Sequence, residues 1–340
     1  MQSSPKTTYK AVFSKADGKG PYIKEVPLIM PQKNQVLIKV DCAPINPSDI
    51  GTISGLYPVY PDTEALPLNT ERRIGLEGAG TIVAVGDDLK VPHKEGDHVS
   101  FFQLGSWGEY VLANSEDVIT MKKGLSFEQS ASILVNPGTV ILLHLIIQRD
   151  GHKALIHTAA TSALGRMVIR YFKKHGIKVI SIVRRDNAIQ ELKSEGSEYV
   201  LNQNDPDFES KLKEAARKLG ATIAFDAISG EMTGKILRNM PPHSEIYVHG
   251  FLSQDIITGA TFADFLLQDK AIKGLWITRY FRTLNPEEKQ DLLSDCRQHL
   301  DGTLRTTISK TFNLEDFKSA IEYYEKNASQ GKVLLKMASE

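Results

Sequence analysis

The chain is poor in cysteine, in net charge and in long apolar runs. Two cysteines, Cys42 and Cys296, stand in 340 residues. Two thiols cannot supply the four clustered thiolates of a structural zinc lobe. So few also fit a reducing compartment better than a disulfide scaffold. Lys plus Arg and Asp plus Glu number 41 each, so no net basic field invites nucleic acid or an anionic membrane surface. No apolar run approaches the roughly 20 residues of a spanning helix. The opening MQSSPKTTYKAVF lacks the apolar centre of a secretory signal and the arginines of an organellar leader. A cytoplasmic protein is expected, or a mitochondrial one if a presequence has been removed. Glycine is also scarce at a telling place. Residues 153–166 read KALIHTAATSALGR, a strand, turn and helix start in which the dinucleotide fingerprint would have three glycines and only Gly165 is present.

Apolar residues make up 41% of the chain and charged residues 24%, the balance of a packed globular protein. The length favours two domains over one. In the first third, short apolar runs such as VLIKV at 36–40 and GTIVAV at 80–85 alternate with Gly, Pro and Asp breaks, as in an antiparallel β domain. After about residue 130 strands alternate with longer helical patterns. ALIHT, VISIV, EYVLN, TIAFDA, EIYVHG and AIKGLWI (271–277) read as six strands, which right-handed crossovers would assemble into a doubly wound parallel sheet. TTISKTF and KVLLKM return to β character around the helix LEDFKSAIEYY. We therefore expect an α/β protein. Residues 1–130, completed by 279–340, form a β-rich domain, and residues 131–278 form a Rossmann domain. There is no internal repeat.

PINPSDI at 44–50, SGLYP at 54–58, GLEGAGTIVAVG at 75–86, LVNPGT at 134–139 and GKVLL at 331–335 together resemble landmarks of the medium-chain dehydrogenase/reductases, in order and over nearly the whole chain. LVNPGT, NPSD and KGLW at 273–276 are most similar to the branch of the 2-enoyl thioester reductases, and SGLYP also occurs in the related quinone oxidoreductases. The resemblance implies a GroES-like catalytic domain beside the Rossmann domain. Zinc-dependent members carry Cys and His where this chain has Asn46 and Leu76. Neither replacement matches the thiolate and imidazole ligands of such a site, so no metal is expected.

A short turn resembling AAxSGVG corresponds here to Ala159–Gly165. Thr161 and Ser162 are suited to cap the helix and to donate to a phosphate. Ala163 replaces one glycine, Leu164 follows, and Gly165 keeps the close helix–strand packing. VISIV is followed by Arg184-Arg185, where an NAD site ends its strand in Asp or Glu. A guanidinium fork matches a 2′-phosphate, which favours NADPH. Asp186, nearby, is the counter-indication. The resemblance further implies cofactor contacts at Thr139 and Lys332, and backbone contacts near His249 and Gly250 to the nicotinamide carboxamide.

Hydride transfer without a metal suits an activated C=C bond, and such chemistry needs a donor for the developing enolate. The resemblance places a catalytic Tyr in the segment Gly55-Leu56-Tyr57, whereas quinone oxidoreductases use that ring to pack the cofactor. Asn46 is a second catalytic candidate. Tyr60 is a fallback donor, and Trp276 with Tyr60 would line the substrate pocket. An NADPH-dependent reductase of enoyl thioesters or enones is the leading reading, beside a quinone oxidoreductase and a non-enzymatic NADPH-binding adaptor. The partners expected are a small-molecule substrate and a second copy of the chain, joined at the apolar edge strand in 271–277.

Overall fold

The computed structural model describes residues 7–15, 19–56 and 70–337. Tyr57 and Tyr60 lie outside the described residues. The chain divides into two compact units, residues 1–138 with 278–340 and residues 139–277.

The first unit begins with strands β1 (Thr8–Ser14), β2 (Tyr22–Pro27), β3 (Gln35–Pro44), β4 (Arg72–Arg73), β5 (Glu77–Val85), β6 (His98–Phe102), β7 (Tyr110–Asn114) and β8 (Val118–Thr120). Helix α1 (Pro47–Ile53) follows β3, and α2 (Phe127–Ser130) and α3 (Val135–Asp150) follow β8. The division between the units falls within α3. In the second unit β9 (Ala154–His157), β10 (Lys178–Val183), β11 (Tyr199–Asn202), β12 (Ile223–Asp226), β13 (Glu245–Val248) and β14 (Ala271–Gly274) alternate with α4 (Ala163–Lys174), α5 (Asp186–Ser194), α6 (Phe208–Leu219) and α7 (Glu231–Asn239). The chain returns to the first unit through α8 (Ile277–Thr283), α9 (Pro286–His299), β15 (Ile308–Asn313), α10 (Phe317–Asn327) and β16 (Lys332–Lys336).

In the first unit β2-β1-β4 form a small sheet, and a larger one runs β15-β16-β3-β5-β6-β8, with β7 also paired to β3. Both faces of β3 are covered, Val36, Ile38 and Val40 by one core and Leu37 by another, so its sequence QVLIKVDCAP is mostly buried instead of alternating cleanly. Its core includes Val36, Ile38, Ile82, Phe101 and Trp107, and the Trp107 indole donates to the Pro44 carbonyl at 3.1 Å. The returning tail is part of this sheet, because β16 pairs antiparallel with β3, Leu335 facing Ala43.

The second unit holds one sheet in the order β11-β10-β9-β12-β13-β14, parallel throughout. Its central strands β9 and β12 are buried at every residue, as a sheet covered on both faces requires. Ile156, Ile180, Ala224 and Ile246 pack on one face against Leu212, Ile236 and Leu237. The order reverses between β9 and β12, which is where open α/β sheets form their ligand crevice. The strand expected over 271–277 is shorter. It ends at Gly274, Leu275 keeps one bond to the Val248 carbonyl at 2.9 Å, and α8 begins at Ile277.

One stretch, Phe127–Asp150, is apolar and long enough to cross a membrane by composition, with a mean hydropathy of 1.8 over an 18-residue window. This differs from the expectation of no run near spanning length. Inside the fold 83% of that window is buried, so its apolar surface is accounted for by the core.

Candidate active site and cofactor turn

The cofactor candidates lie mostly in the second unit. After β9 the backbone turns through Ala159 with φ 49°. Ser162 then caps α4, its hydroxyl accepting from the Gly165 amide at 3.0 Å. The amides of Ala163 and Leu164, at the first two positions of α4, have no acceptor within the helix ladder. Thr161, Ser162, Ala163 and Leu164 are all half-buried. A phosphate would meet these two amides, the Thr161 hydroxyl and the positive end of the helix dipole. Gly165 is required by space. A Cβ there would stand 2.5 Å from the Ala160 carbonyl oxygen, so helix and turn could not approach as they do. Arg166 braces the turn from outside by donating to the Thr161 carbonyl at 3.2 Å, and it is paired with Glu191 and Glu195 on the next helical segment.

At the end of β10, Arg184 and Arg185 are exposed. Asp186 opens α5, and its carboxylate accepts from the Asn202 side-chain amide at 2.7 Å. Asn204 holds the Arg184 carbonyl at 2.9 Å. Asp186 is exposed as well, with Oδ1 held by Asn202, and both guanidinium groups are open to solvent beside it.

His249 follows β13, and its backbone amide donates to the Asp226 carbonyl at 2.9 Å. Its Nε2 is buried with no partner among the described residues. Burial pushes its imidazole down to about 4, so the ring is neutral at pH 7. His157 stacks beside it, the ring centroids 5.7 Å apart, and is likewise driven well below its ordinary range by burial. Gly250 packs against the Ala227 backbone, where a Cβ would come within 2.7 Å of its carbonyl oxygen. Thr139 is buried at 6% exposure in α3, and Trp276 is half-buried just before α8. The free amides, the glycine cradle, the open arginines and the buried polar edge of His249 fit a dinucleotide.

The catalytic candidate Asn46 belongs to the first unit, and the fold joins it to a residue read as a cofactor ligand. Lys332, at the start of β16, donates its ammonium to Asn46 Oδ1. Asn46 Nδ2 donates to Glu77 Oε1 at 3.1 Å. Glu77 Oε2 accepts the amides of Leu134 and Val135 at 2.8 and 2.9 Å. Asn46, Glu77 and Lys332 are 0%, 0% and 3% exposed. Both ends of the Asn46 carboxamide are therefore engaged inside the protein. Asp49 completes the group. Its carboxylate accepts the Asn46 amide at 2.8 Å and closes the cap of α1. Burial drives the Glu77 carboxyl upward and the Lys332 ammonium downward, each opposed by the other's charge. Glu77 is fully enclosed and bonded on both oxygens, which the lone sequence landmark Gly75-Leu76-Glu77 did not disclose. Among the described residues no group of three His, Cys, Asp or Glu side chains is arranged to hold a metal.

Burial pushes Asp49 from 3.8 up to about 7, against the downward pull of the Asn46 amide and of Lys332. A carboxyl raised in the folded state contributes stability at low pH and loses it as pH rises from the unfolded value of 3.8 to the folded one of about 7. Asp49→Asn, which keeps an acceptor for the Asn46 amide, should therefore gain on the unmodified protein as pH rises across that window, by on the order of 1 kcal/mol per pH unit. Urea denaturation of both proteins at several pH values checks this. A difference that stays constant with pH would show that Asp49 does not titrate there.

Fold and turn together define a two-unit α/β protein with a tight turn and a capped helix start at the switch point of its parallel sheet. Residues 163–324 match the zinc-binding dehydrogenase family model, and residues 32–123 match the alcohol dehydrogenase GroES-like domain. The mitochondrial enoyl-[acyl-carrier-protein] reductase of Rattus norvegicus is 26% identical over 311 residues, covering 88% of this chain and 80% of the relative. A putative NADPH:quinone reductase from Mesorhizobium loti superposes with a TM-score of 0.84 at 28% identity, covering 98% of this chain and all of that one. The Etr1p chain of a complex with NADP and crotonyl-CoA has the same fold, with a TM-score of 0.78 at 22% identity over 97% of this chain and 99% of its own. The chain belongs to the medium-chain dehydrogenase/reductases, in the branch of the enoyl thioester reductases and quinone oxidoreductases.

Proposed function

We propose that the protein is an NADPH-dependent, metal-free reductase of activated C=C bonds in enoyl thioesters or enones. The observation that carries the cofactor half is the end of β10, where Arg184 and Arg185 are open and Asp186 is engaged by Asn202. The names of relatives support the substrate half. Bound NADPH supplies a hydride. Ser162, through its cap, holds the turn whose amides receive the pyrophosphate, and the two arginines receive the 2′-phosphate. The backbone at His249 and Gly250 orients the nicotinamide, and Thr139 adds a hydroxyl. Tyr57 donates a hydrogen bond or proton where charge develops on the substrate. Lys332 acts through Asn46, whose enclosed carboxamide is a positioning element. Incubation with NADPH and a panel of enoyl-CoAs, enones and quinones tests this reading. Turnover on none of them would remove it, and turnover on quinones alone would favour the second reading, which rests on the similarity to the NADPH:quinone reductase.

Arg184→Ala combined with Arg185→Ala should weaken NADPH by roughly ten- to several-hundred-fold, because charge-assisted bonds to a phosphate are lost. NADH affinity should change little. Titration of both cofactors decides it, and equal affinities in the unmodified protein would show that the arginines do not select the phosphate.

We also infer a homodimer through the free edge of β14. β14 is paired only with β13 among the described strands. In the segment that precedes it in the chain Ile256, Phe262, Leu266 and Leu267 are 71–85% exposed, and large apolar side chains left in water suit an association surface. The segment is held rigidly from beneath by Lys270, which bonds the Leu237 carbonyl at 2.7 Å and pairs with buried Asp264. An open edge and a preformed apolar face in one unit suit a twofold partner of the same sequence. Light scattering should give twice the 37.7 kDa chain mass, and Leu266→Glu with Phe262→Glu should give the monomer. A monomeric unmodified protein at micromolar concentration would exclude the interface.

A further inference from the structure

Thr158 and Asp226 are both 0% exposed and stand at the facing ends of β9 and β12, where the sheet order reverses. The Thr158 hydroxyl donates to Asp226 Oδ1 at 2.8 Å and accepts the Ala227 amide at 2.8 Å. The Thr158 amide donates to the Phe225 carbonyl at 3.2 Å. Three bonds therefore tie the start of the cofactor turn to the neighbouring strand end.

Asp226 extends the tie. Its carboxylate also accepts the Ile228 amide at 2.9 Å, the Ser229 amide at 3.1 Å and the Thr233 hydroxyl at 2.6 Å. These bonds hold the loop after β12 in a shape that takes Ser229 to φ 70°. That loop in turn receives the segment after β13. The amides of His249, Leu252 and Ser253 donate to the carbonyls of Asp226, Ala227 and Ile228 at 2.9, 3.1 and 2.9 Å. One hydroxyl–carboxylate pair thus sets the spacing of three loops, among them the turn at 161–165 and the segment at 249–250.

We propose that Thr158 and Asp226 are positioning residues for the dinucleotide, and that they couple the geometry of the pyrophosphate turn to that of the nicotinamide loop. This rests on the NADPH reading. Neither side chain has exposed surface to offer a ligand, so both act through the loops. A fully bonded buried carboxylate resists displacement, because any shift leaves a buried donor or acceptor without its partner. The crevice is thereby held to one width before the cofactor arrives.

Thr158→Val keeps the shape of the side chain, removes its hydroxyl, and strands the Ala227 amide. NADPH affinity measured by fluorescence should fall about tenfold, the effect of one lost buried bond with an unpaired partner. Adenosine 2′-monophosphate, which would engage only the arginine loop after β10, should keep its affinity within about twofold. Thr158→Ser restores the hydroxyl and should bind NADPH within about twofold of the unmodified protein. Equal weakening of both ligands would signal general loosening and overturn the positioning role. If Thr158→Val does not fold, Thr233→Val removes one donor from the same carboxylate and should weaken NADPH alone, by about threefold; no change there overturns the proposal. An unmodified protein that binds neither ligand overturns the NADPH reading and this inference with it. An unmodified protein that binds both, beside a Thr158→Val protein equally tight for NADPH, overturns the inference alone.

Discussion

Lys332→Met should lower the thermal midpoint at pH 8 by about 6–20 °C, corresponding to roughly 3–5 kcal/mol for breaking a buried charge pair. Lys332 is the buried cation facing Glu77 and Asp49, and it is the donor to Asn46 Oδ1. Methionine fills similar space but leaves that oxygen unpaired and the Glu77 carboxylate without its countercharge. The loss should shrink in acid. Burial already raises the Glu77 pKa and Lys332 opposes the rise, so without the lysine the carboxyl takes up a proton more readily as pH falls. Adding Glu77→Gln should recover part of the midpoint, because the uncompensated charge is then gone. Scanning calorimetry on the two single variants and the double variant at pH 5 and pH 8 separates these effects. A loss independent of pH, or strictly additive losses, would mean that the pair is not electrostatically coupled.

Tyr57→Phe should cut turnover by about 10²–10³, the usual effect of removing one donor to a developing oxyanion, while NADPH affinity stays within roughly threefold. The structure narrows the candidates for that donor without describing Tyr57 itself. Asn46 is wholly enclosed, and its carboxamide is engaged by Lys332 and Glu77. With no exposed surface, it would reach a substrate only if that network shifted. A phenol with pKa near 10 is protonated at pH 7 and suits the task. Steady-state kinetics with cofactor titration distinguishes the outcomes. Normal turnover by Tyr57→Phe would assign the proton to water or Tyr60. A parallel fall in NADPH affinity would identify the ring as a packing surface for the cofactor.

The residues that local sequence exposes best are those whose partners are close in the chain. Ser162 and Gly165 are three residues apart, and their cap is the pattern that a strand, small residues and an amphipathic run announce. The same holds for Asn46 and Asp49 at the start of α1. Arg184-Arg185 at the end of β10 is legible as a departure from an acidic residue. Its meaning depends on Asp186, however, whose engagement by Asn202 lies sixteen residues away across two strand ends. The expected 271–277 strand ran too long because an apolar stretch does not itself reveal where α8 takes over.

By itself the sequence determined the two kinds of architecture, the six-strand alternation and the strand–turn–helix with its Ser162 cap. Each of these follows from periodicity or residue type within a short window, where backbone geometry translates pattern directly into structure. Only the tertiary structure decided that Lys332 faces Asn46 across 286 residues, and that Thr158 meets Asp226 across 68. β16 places Lys332 by pairing with β3, and β9 meets β12 only after three helices and two strands have intervened. Sheet register sets which side chains face each other at such distances, and that register depends on the packing of the whole unit, so no local pattern carries it.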